Sequence, residues 1–155
     1  RQNYVRLSGR KERMKKIQII GVAGAGAMGR GIVQIAAQAG LTVRLFDLQS
    51  QAVAAARESL GATWTTLAAK GKITEEKAQA ALANVQPATA LSDFADCDLV
   101  IEAIVERLDV KQKFFKDLEA VVSKDCLLAS NTSSLSITAI ASVCAHPARV
   151  VGYHF

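Results

Sequence analysis

Residues 24–29 read Gly-Ala-Gly-Ala-Met-Gly, the G-x-G-x-x-G spacing that can hold the phosphates of a dinucleotide. In this spacing Gly24 allows a tight turn, Gly26 lets a pyrophosphate approach the backbone, and Gly29 lets a helix pack against the preceding strand. The helix that follows offers free N–H groups and a partial positive charge. The candidate cofactor-binding residues of this glycine loop are Gly24, Ala25, Gly26, Ala27, Met28 and Gly29.

Asp47 comes at the end of the second predicted strand, 18 residues after Gly29. A carboxylate at this position hydrogen-bonds the adenosine ribose and repels a 2′-phosphate, which favours NAD over NADP. The alternative is an aspartate that only caps the N-terminus of the next helix.

A second group of polar residues follows three later apolar runs. Glu106 and Lys111 follow the first run, residues 131–134 (Asn-Thr-Ser-Ser) follow the second, and His154 follows the third. A histidine can act as a general base near neutral pH, and a serine can hydrogen-bond a substrate oxygen. Taken singly, the serines could be turn and capping residues and His154 could be structural.

These residues are placed by short apolar runs that alternate with helical patterns. The predicted strands are 17–22, 42–47, 85–88, 99–104, 127–130 and 150–155. The predicted helices are 28–39, 49–70, one that begins after Thr74, 108–122 and 136–143. The alternation predicts a doubly wound α/β domain with a mostly parallel sheet, and Pro87 demotes its strand to an edge. The two helices between the second and third strands form an antiparallel helical-pair insertion. Ligands of such sheets bind beyond the carboxyl ends of the strands.

Length and charge limit the function classes. The chain has 155 residues, half of them hydrophobic, which fits one folded domain and excludes a disordered chain. The net charge is +5, but residues 1–16 carry +6, so the rest is close to neutral and no nucleic-acid partner is expected. We therefore predict a basic leader over 1–15 (a tag, an upstream extension or a transit-peptide remnant) and a domain over 16–155.

Cysteine and hydropathy patterns point to a reducing compartment and to no membrane segment. Cys97, Cys126 and Cys144 are odd in number and widely spaced, which argues against a disulfide framework or a structural metal site. No run of 18 apolar residues exists, so no membrane association is expected. We predict a cytoplasmic location, with the mitochondrial matrix as the alternative.

Together these motifs resemble the NAD-binding domain of L-3-hydroxyacyl-CoA dehydrogenase, from about Lys16 to Phe155. The resemblance rests on four segments, of which the last two are the most specific. They are the glycine loop with its Met28, Glu102-Ala103 followed by Glu106 and Lys111, Ser130-Asn131-Thr132-Ser133-Ser134-Leu135, and Gly152-Tyr153-His154-Phe155.

The resemblance implies a Rossmann fold and an oxidoreductase that passes hydride from an acyl-CoA substrate to NAD. The glycine loop would hold the pyrophosphate and Asp47 the adenosine ribose, while Glu106 and Lys111 would lie near the nicotinamide. Ser133 would contact cofactor and substrate, and His154 would remove the hydroxyl proton. The alternatives are a dehydrogenase of another β-hydroxyacid or of a sugar nucleotide, and a non-enzymatic NAD-binding or structural relative.

Members of this family carry further parts downstream. A glutamate orients the histidine, an asparagine contacts substrate, and a helical C-terminal domain closes the site and forms a homodimer. This sequence ends at Phe155, before any of these, so we expect it to bind NAD with weak or no turnover.

Overall fold

The computed structural model describes residues 4–6 and 14–154. The strands are β1 (Tyr4–Arg6), β2 (Met14–Lys16), β3 (Ile19–Ala23), β4 (Thr42–Phe46), β5 (Val85–Pro87), β6 (Leu99–Glu102), β7 (Leu127–Ser130) and β8 (Val150–Gly152). The helices are α1 (Ala27–Gln38), α2 (Ser50–Ala69), α3 (Glu75–Asn84), α4 (Leu108–Glu119) and α5 (Ile137–Ala141), with 3₁₀ turns at Leu91–Phe94 and Pro147–Arg149.

Six strands form one parallel sheet in the order β5-β4-β3-β6-β7-β8, while β1 and β2 pair antiparallel as a separate ribbon. The chain runs outward from β3 to one edge and then, after crossing back to β6, outward to the other edge. This reversal between β3 and β6 leaves a crevice at the carboxyl ends of the strands, where such sheets bind ligands. The predicted doubly wound fold is confirmed.

One line of paired residues crosses this carboxyl edge. The pairing register puts Phe46 beside Ala23, Ala23 beside Glu102, Glu102 beside Ser130, and Ser130 beside Gly152. We call these five residues the edge row. The loops that follow these strands therefore all begin at the carboxyl edge of the sheet. This brings the site residues predicted from the sequence to that edge.

Two hydrophobic layers cover the two faces of the sheet. One contains apolar side chains of α1, α2 and α3, among them Val33, Leu60 and Trp64. The other contains those of α4 and α5, among them Phe115 and Ile140. Helices on both faces explain why the strands read as continuous apolar runs rather than alternating ones.

The helical pair is present as predicted. Thr74 accepts a hydrogen bond from the Lys77 N–H at 3.1 Å and caps α3. Arg57 of α2 donates to the Val85 carbonyl, just after α3, at 3.1 Å, so the start of α2 lies beside the end of α3 and the helices are antiparallel. Trp64 is buried and its indole N–H donates to Gln38 at 3.1 Å, which ties the pair to α1.

The structure differs from the sequence prediction mainly at element ends. The last strand ends at Gly152 instead of Phe155, so Tyr153 and His154 follow the strand, and β6 ends at Glu102. Strands β1 and β2 fall within or across the predicted leader, which the composition did not identify as strand-forming. The rest of the leader (1–3 and 7–13) and Phe155 lie outside the described residues, so the nature of the leader stays a prediction.

The described residues contain neither a membrane-spanning helix nor a cluster of metal ligands. No helix in residues 4–6 and 14–154 has the length and hydropathy needed to cross a bilayer. Within the same ranges, no three His, Cys, Asp or Glu side chains are grouped so that they could hold a metal ion.

Candidate functional site

The glycine loop joins β3 to α1 and owes its shape to the absence of side chains. Gly24 has a φ of +108°, and a Cβ there would collide with the Ala103 carbonyl of the neighbouring loop. A Cβ on Gly29 would collide with the carbonyl oxygen of Gly24. A Cβ on Gly26 would meet no atom within 4 Å, so the space beside it is open to a ligand. The fold therefore requires glycine at positions 24 and 29, whereas Gly26 leaves room for a ligand.

The N-terminus of α1 points free donors at this open space. The first intrahelical bond runs from the Arg30 N–H to the Gly26 carbonyl at 2.9 Å, so the N–H groups of 27–29 have no acceptor within the helix. Gly26 is the N-cap and supplies no side-chain acceptor, and the first turn holds no acidic residue. The donors and the helix dipole suit an anionic phosphate.

Asp47 lies against the glycine loop. One oxygen of its carboxylate accepts from the Ala25 N–H at 2.9 Å and the other accepts from the Gln49 N–H at 2.9 Å. The N-cap of α2 is Gln49, so the alternative of Asp47 as N-cap is wrong. A carboxylate has about four lone-pair sites, so it can still accept hydrogen bonds from a diol.

A cavity of about 590 Å³ opens beside Asp47 and the glycine loop. Its walls are largely apolar and come from the loops after β4 and β6 and from α4, with the Lys113–Asp117 ion pair, 2.7 Å long, at its border. Apolar wall residues include Phe46, Leu48, Ile104, Val105, Val110 and Phe114. Leu48, which directly follows Asp47, is 86% exposed and lines the cavity. Sequence reasoning missed these walls, although an apolar residue directly after Asp47 was a visible signal.

We call the reversal between β3 and β6 the switch point. On its other side, at the ends of β6 and β7, charged and hydroxyl side chains form a connected network. We call it the charged cluster; its members are Glu102, Glu106, Lys111, Ser130, Thr132 and Ser133. Lys111 Nζ lies 2.7 Å from both carboxylate oxygens of Glu102 and 3.4 Å from Glu106 Oε1. The Ser130 hydroxyl donates to Glu102.

Glu106 holds the loop after β7. It accepts from the Thr132 hydroxyl at 2.7 Å, from the Ser133 N–H at 3.0 Å and from the Ser133 hydroxyl at 3.1 Å. The Thr132 hydroxyl, the Ser133 N–H and, more weakly, the Lys111 ammonium lower the pKa of Glu106 from 4.5 to about 2. Glu106 is therefore a carboxylate at physiological pH, and it fixes the position of Ser133.

His154 reaches the same side of the sheet through β8. The Tyr153 N–H donates to the Ser130 carbonyl at 2.8 Å and extends the pairing of β8 with β7 by one residue. His154 follows and is exposed, as is Ser133, three residues beyond Ser130. Among the described residues no hydrogen bond joins His154 to Ser133, although both follow strands at the same edge of the sheet.

Sequence comparison decides the family. Residues 19–155 match the family described as "3-hydroxyacyl-CoA dehydrogenase, NAD binding domain". The chain belongs to this family. The predicted resemblance to this NAD-binding domain and NAD as its cofactor are thereby confirmed.

Individual relatives of this NAD-binding domain agree. A probable 3-hydroxybutyryl-CoA dehydrogenase of Deinococcus radiodurans is 43% identical over 135 residues, covering 87% of this chain and 48% of the relative. A 3-hydroxybutyryl-CoA dehydrogenase of Bradyrhizobium diazoefficiens is 41% identical and covers 90% of this chain and 47% of the relative. The chain thus spans about half the length of these curated relatives.

A solved structure supports the fold of the domain. The crystal structure of a 3-hydroxybutyryl-CoA dehydrogenase from Escherichia coli K12 superimposes with a TM-score of 0.88 at 41% identity. The match covers 90% of this chain and 29% of that one.

The NAD-binding domain therefore brings its predicted residues together in two groups. Gly24, Ala25, Gly26 and Asp47 meet at the cavity and the start of α1, whose first turn contains Ala27, Met28 and Gly29. Glu106, Lys111 and Ser133 meet in the charged cluster. No role was predicted for Glu102, Ser130 or Thr132, although all three lie at strand ends or within the motifs quoted above.

Proposed function

We propose that this chain is the cofactor-binding part of an NAD-dependent 3-hydroxyacyl-CoA dehydrogenase, which oxidises L-3-hydroxyacyl-CoA to 3-ketoacyl-CoA. The observation that carries the proposal is the edge row. It sets the glycine loop and Asp47 on one side of the switch point and the charged cluster and His154 on the other. An extended dinucleotide laid across the crevice would meet both groups.

The adenosine half of NAD fits the first group. The open space at Gly26 and the free N–H groups of α1 would take the pyrophosphate, and Asp47 would take the ribose hydroxyls. The apolar cavity beyond Asp47 has the walls that an adenine ring needs. Since Asp47 is negative, a 2′-phosphate would be repelled there.

The reaction would take place at the second group. NAD, when bound, supplies the hydride acceptor. His154 would take the proton of the substrate's 3-hydroxyl as the carbon loses hydride. Glu106 would hold the nicotinamide end, and the buried Lys111 would act on it through Glu106. The Ser133 hydroxyl donates to Glu106 in this structure; turned to the substrate oxygen, it would stabilise the developing alkoxide.

The proposed substrate class is taken from the names of the relatives, which specify 3-hydroxybutyryl-CoA. A short acyl-CoA is therefore the substrate to test first. The homodimer, the cytoplasmic location and the weak or absent turnover of this piece alone stay predictions.

The test uses the full-length protein with NAD and L-3-hydroxybutyryl-CoA, followed by NADH absorbance. We expect NADH to form with the CoA thioester and not with the free 3-hydroxy acid or with 3-hydroxyisobutyrate. Turnover of a free acid alone would favour a dehydrogenase of another β-hydroxyacid. NADH binding without any turnover would favour a non-enzymatic module.

A further inference from the structure

Three side chains beneath the Ser133 loop are the buried polar or charged side chains of residues 16–154. Glu102 and Ser130 are 0% exposed and Lys111 is 1% exposed. Glu102 and Ser130 belong to the edge row, on neighbouring strands, and Lys111 reaches them from α4. The other buried side chains of the sheet are apolar.

The Glu102 carboxylate is held from every side. Lys111 contacts both of its oxygens at 2.7 Å, the Ile104 N–H donates to Oε2 at 3.0 Å, and Ser130 donates to Oε1. A buried ion pair of this kind is often no more stable than apolar residues of the same volume. Stability alone therefore does not account for charges at these positions.

Two chains of contacts run from Glu102 to the Ser133 loop. In the first, Glu102 fixes Lys111, whose ammonium lies 3.4 Å from Glu106, and Glu106 binds Ser133 through both its N–H and its hydroxyl. In the second, Ser130 accepts from the Thr132 N–H at 3.2 Å while it donates to Glu102. The first chain ends at Ser133, which is proposed to meet the substrate, and the second ends at Thr132, the residue directly before it.

We infer that Glu102 is a positioning residue for the nicotinamide end of the site. It touches neither cofactor nor substrate; it holds the Lys111 ammonium where that charge orients Glu106 and, with Ser130, fixes residues 132–133. The inference rests on the proposed roles of Glu106 and Ser133. It predicts that loss of the Glu102 charge weakens the binding of the nicotinamide half and leaves that of the adenosine half unchanged.

The experiment compares two ligands on the full-length protein. NADH affinity is measured by fluorescence titration, and affinity for ADP, which lacks the nicotinamide, by competition. For Glu102→Gln we expect a rise of at least tenfold in the NADH Kd with the ADP Kd within twofold of wild type. Lys116→Met removes an exposed lysine of the same helix, and both affinities should stay at wild-type values.

Glu106→Gln and Ser133→Ala separate the two proposals. If both weaken NADH while Glu102→Gln does not, the positioning role is wrong and the proposed site stands. If neither weakens NADH, the proposed site is wrong and the positioning role falls with it. An equal loss of NADH and ADP binding in Glu102→Gln would mean damage to the whole fold and would also overturn the inference.

A second variant covers the case in which Glu102→Gln does not fold. Glu102→Gln combined with Lys111→Met removes both buried charges, so the penalty of an unpaired ion disappears. A folded double variant with weak NADH binding and normal ADP binding supports the inference. Normal NADH binding in that variant overturns it.

Discussion

The two sides of the switch point are built by different physical means. The glycine loop owes its shape to positions where no side chain fits, and it offers backbone N–H groups. Its one carboxylate partner, Asp47, is bound to its backbone. The charged cluster is shaped by side chains from β6, α4 and β7, with Lys111 between two glutamates. Substitutions that add volume should therefore disrupt the glycine loop, and substitutions that remove a charge should disrupt the charged cluster.

This difference matches the demands of the two halves of a dinucleotide. The adenosine and pyrophosphate half does not react, so a rigid backbone cradle is sufficient to bind it. The reacting half needs groups held to within a fraction of an ångström, because small displacements of catalytic groups reduce rates strongly. Interlocked charges can supply such positions when every partner is satisfied.

The largest expected effect lies on the charged side. We expect His154→Gln in the full-length protein to lower kcat by about 10²–10⁴-fold, the usual contribution of a general base. NADH affinity should stay within about twofold of wild type, since glutamine cannot act as the base but keeps the polar volume. Steady-state kinetics and NADH titration test this, and normal turnover would reject His154 as the base.

The glycine loop should respond to volume. Gly26→Ala fills open space, so we expect an unchanged Tm and a loss of both NADH and ADP affinity of about 10–100-fold, as expected when charge-assisted hydrogen bonds to phosphate are lost. Gly31→Ala, inside α1 and also in open space, is the matched control and should raise stability by about 0.5–1 kcal/mol. Unchanged affinity in Gly26→Ala would remove this loop from the phosphate site.

Asp47 should make the protein bind NADH more tightly than NADPH. We expect Asp47→Ala to weaken NADH binding about tenfold, the loss of roughly one charged hydrogen bond, and to weaken NADPH binding less because the repulsion of the 2′-phosphate disappears. Fluorescence titration with both cofactors measures this. Asp109→Ala, at an exposed carboxylate on α4, is the control. Equal NADH affinity in wild type and Asp47→Ala would exclude Asp47 from the site.

The smallest effect concerns pH and belongs to Glu106. Its folded-state pKa of about 2 lies below the ordinary value of 4.5, so its contribution to stability is present above pH 4.5 and is lost as the pH falls towards 2. The difference in unfolding free energy between wild type and Glu106→Gln should therefore be constant above about pH 5 and shrink below it. Denaturant unfolding at several pH values tests this; a difference that does not change with pH would contradict the proposed anchoring.

Prediction from the sequence worked best where neighbours along the chain set the structure. The glycine loop, the cap at Thr74 and the edge strand with Pro87 depend on glycine, threonine and proline chemistry acting within a few residues. Strand ends were less predictable: the last predicted strand runs to Phe155, yet β8 ends at Gly152 and one further hydrogen bond, from the Tyr153 N–H, joins the chain to β7. Where pairing stops depends on the neighbouring strand, which a local pattern does not contain.

The sequence by itself determined the fold class, the family resemblance and the residues to test, because spacing and residue type encode turns, helix faces and motifs locally. Only the tertiary structure decided that Glu102, Lys111 and Ser130 are buried together and that Glu106 binds Ser133. Glu102 and Ser130 are 28 positions apart and meet because β6 and β7 are neighbours in register. A carboxylate at the end of a strand looks the same in sequence whether it faces solvent or a lysine. For Glu102, the packing of α4 onto the sheet decides that it faces Lys111.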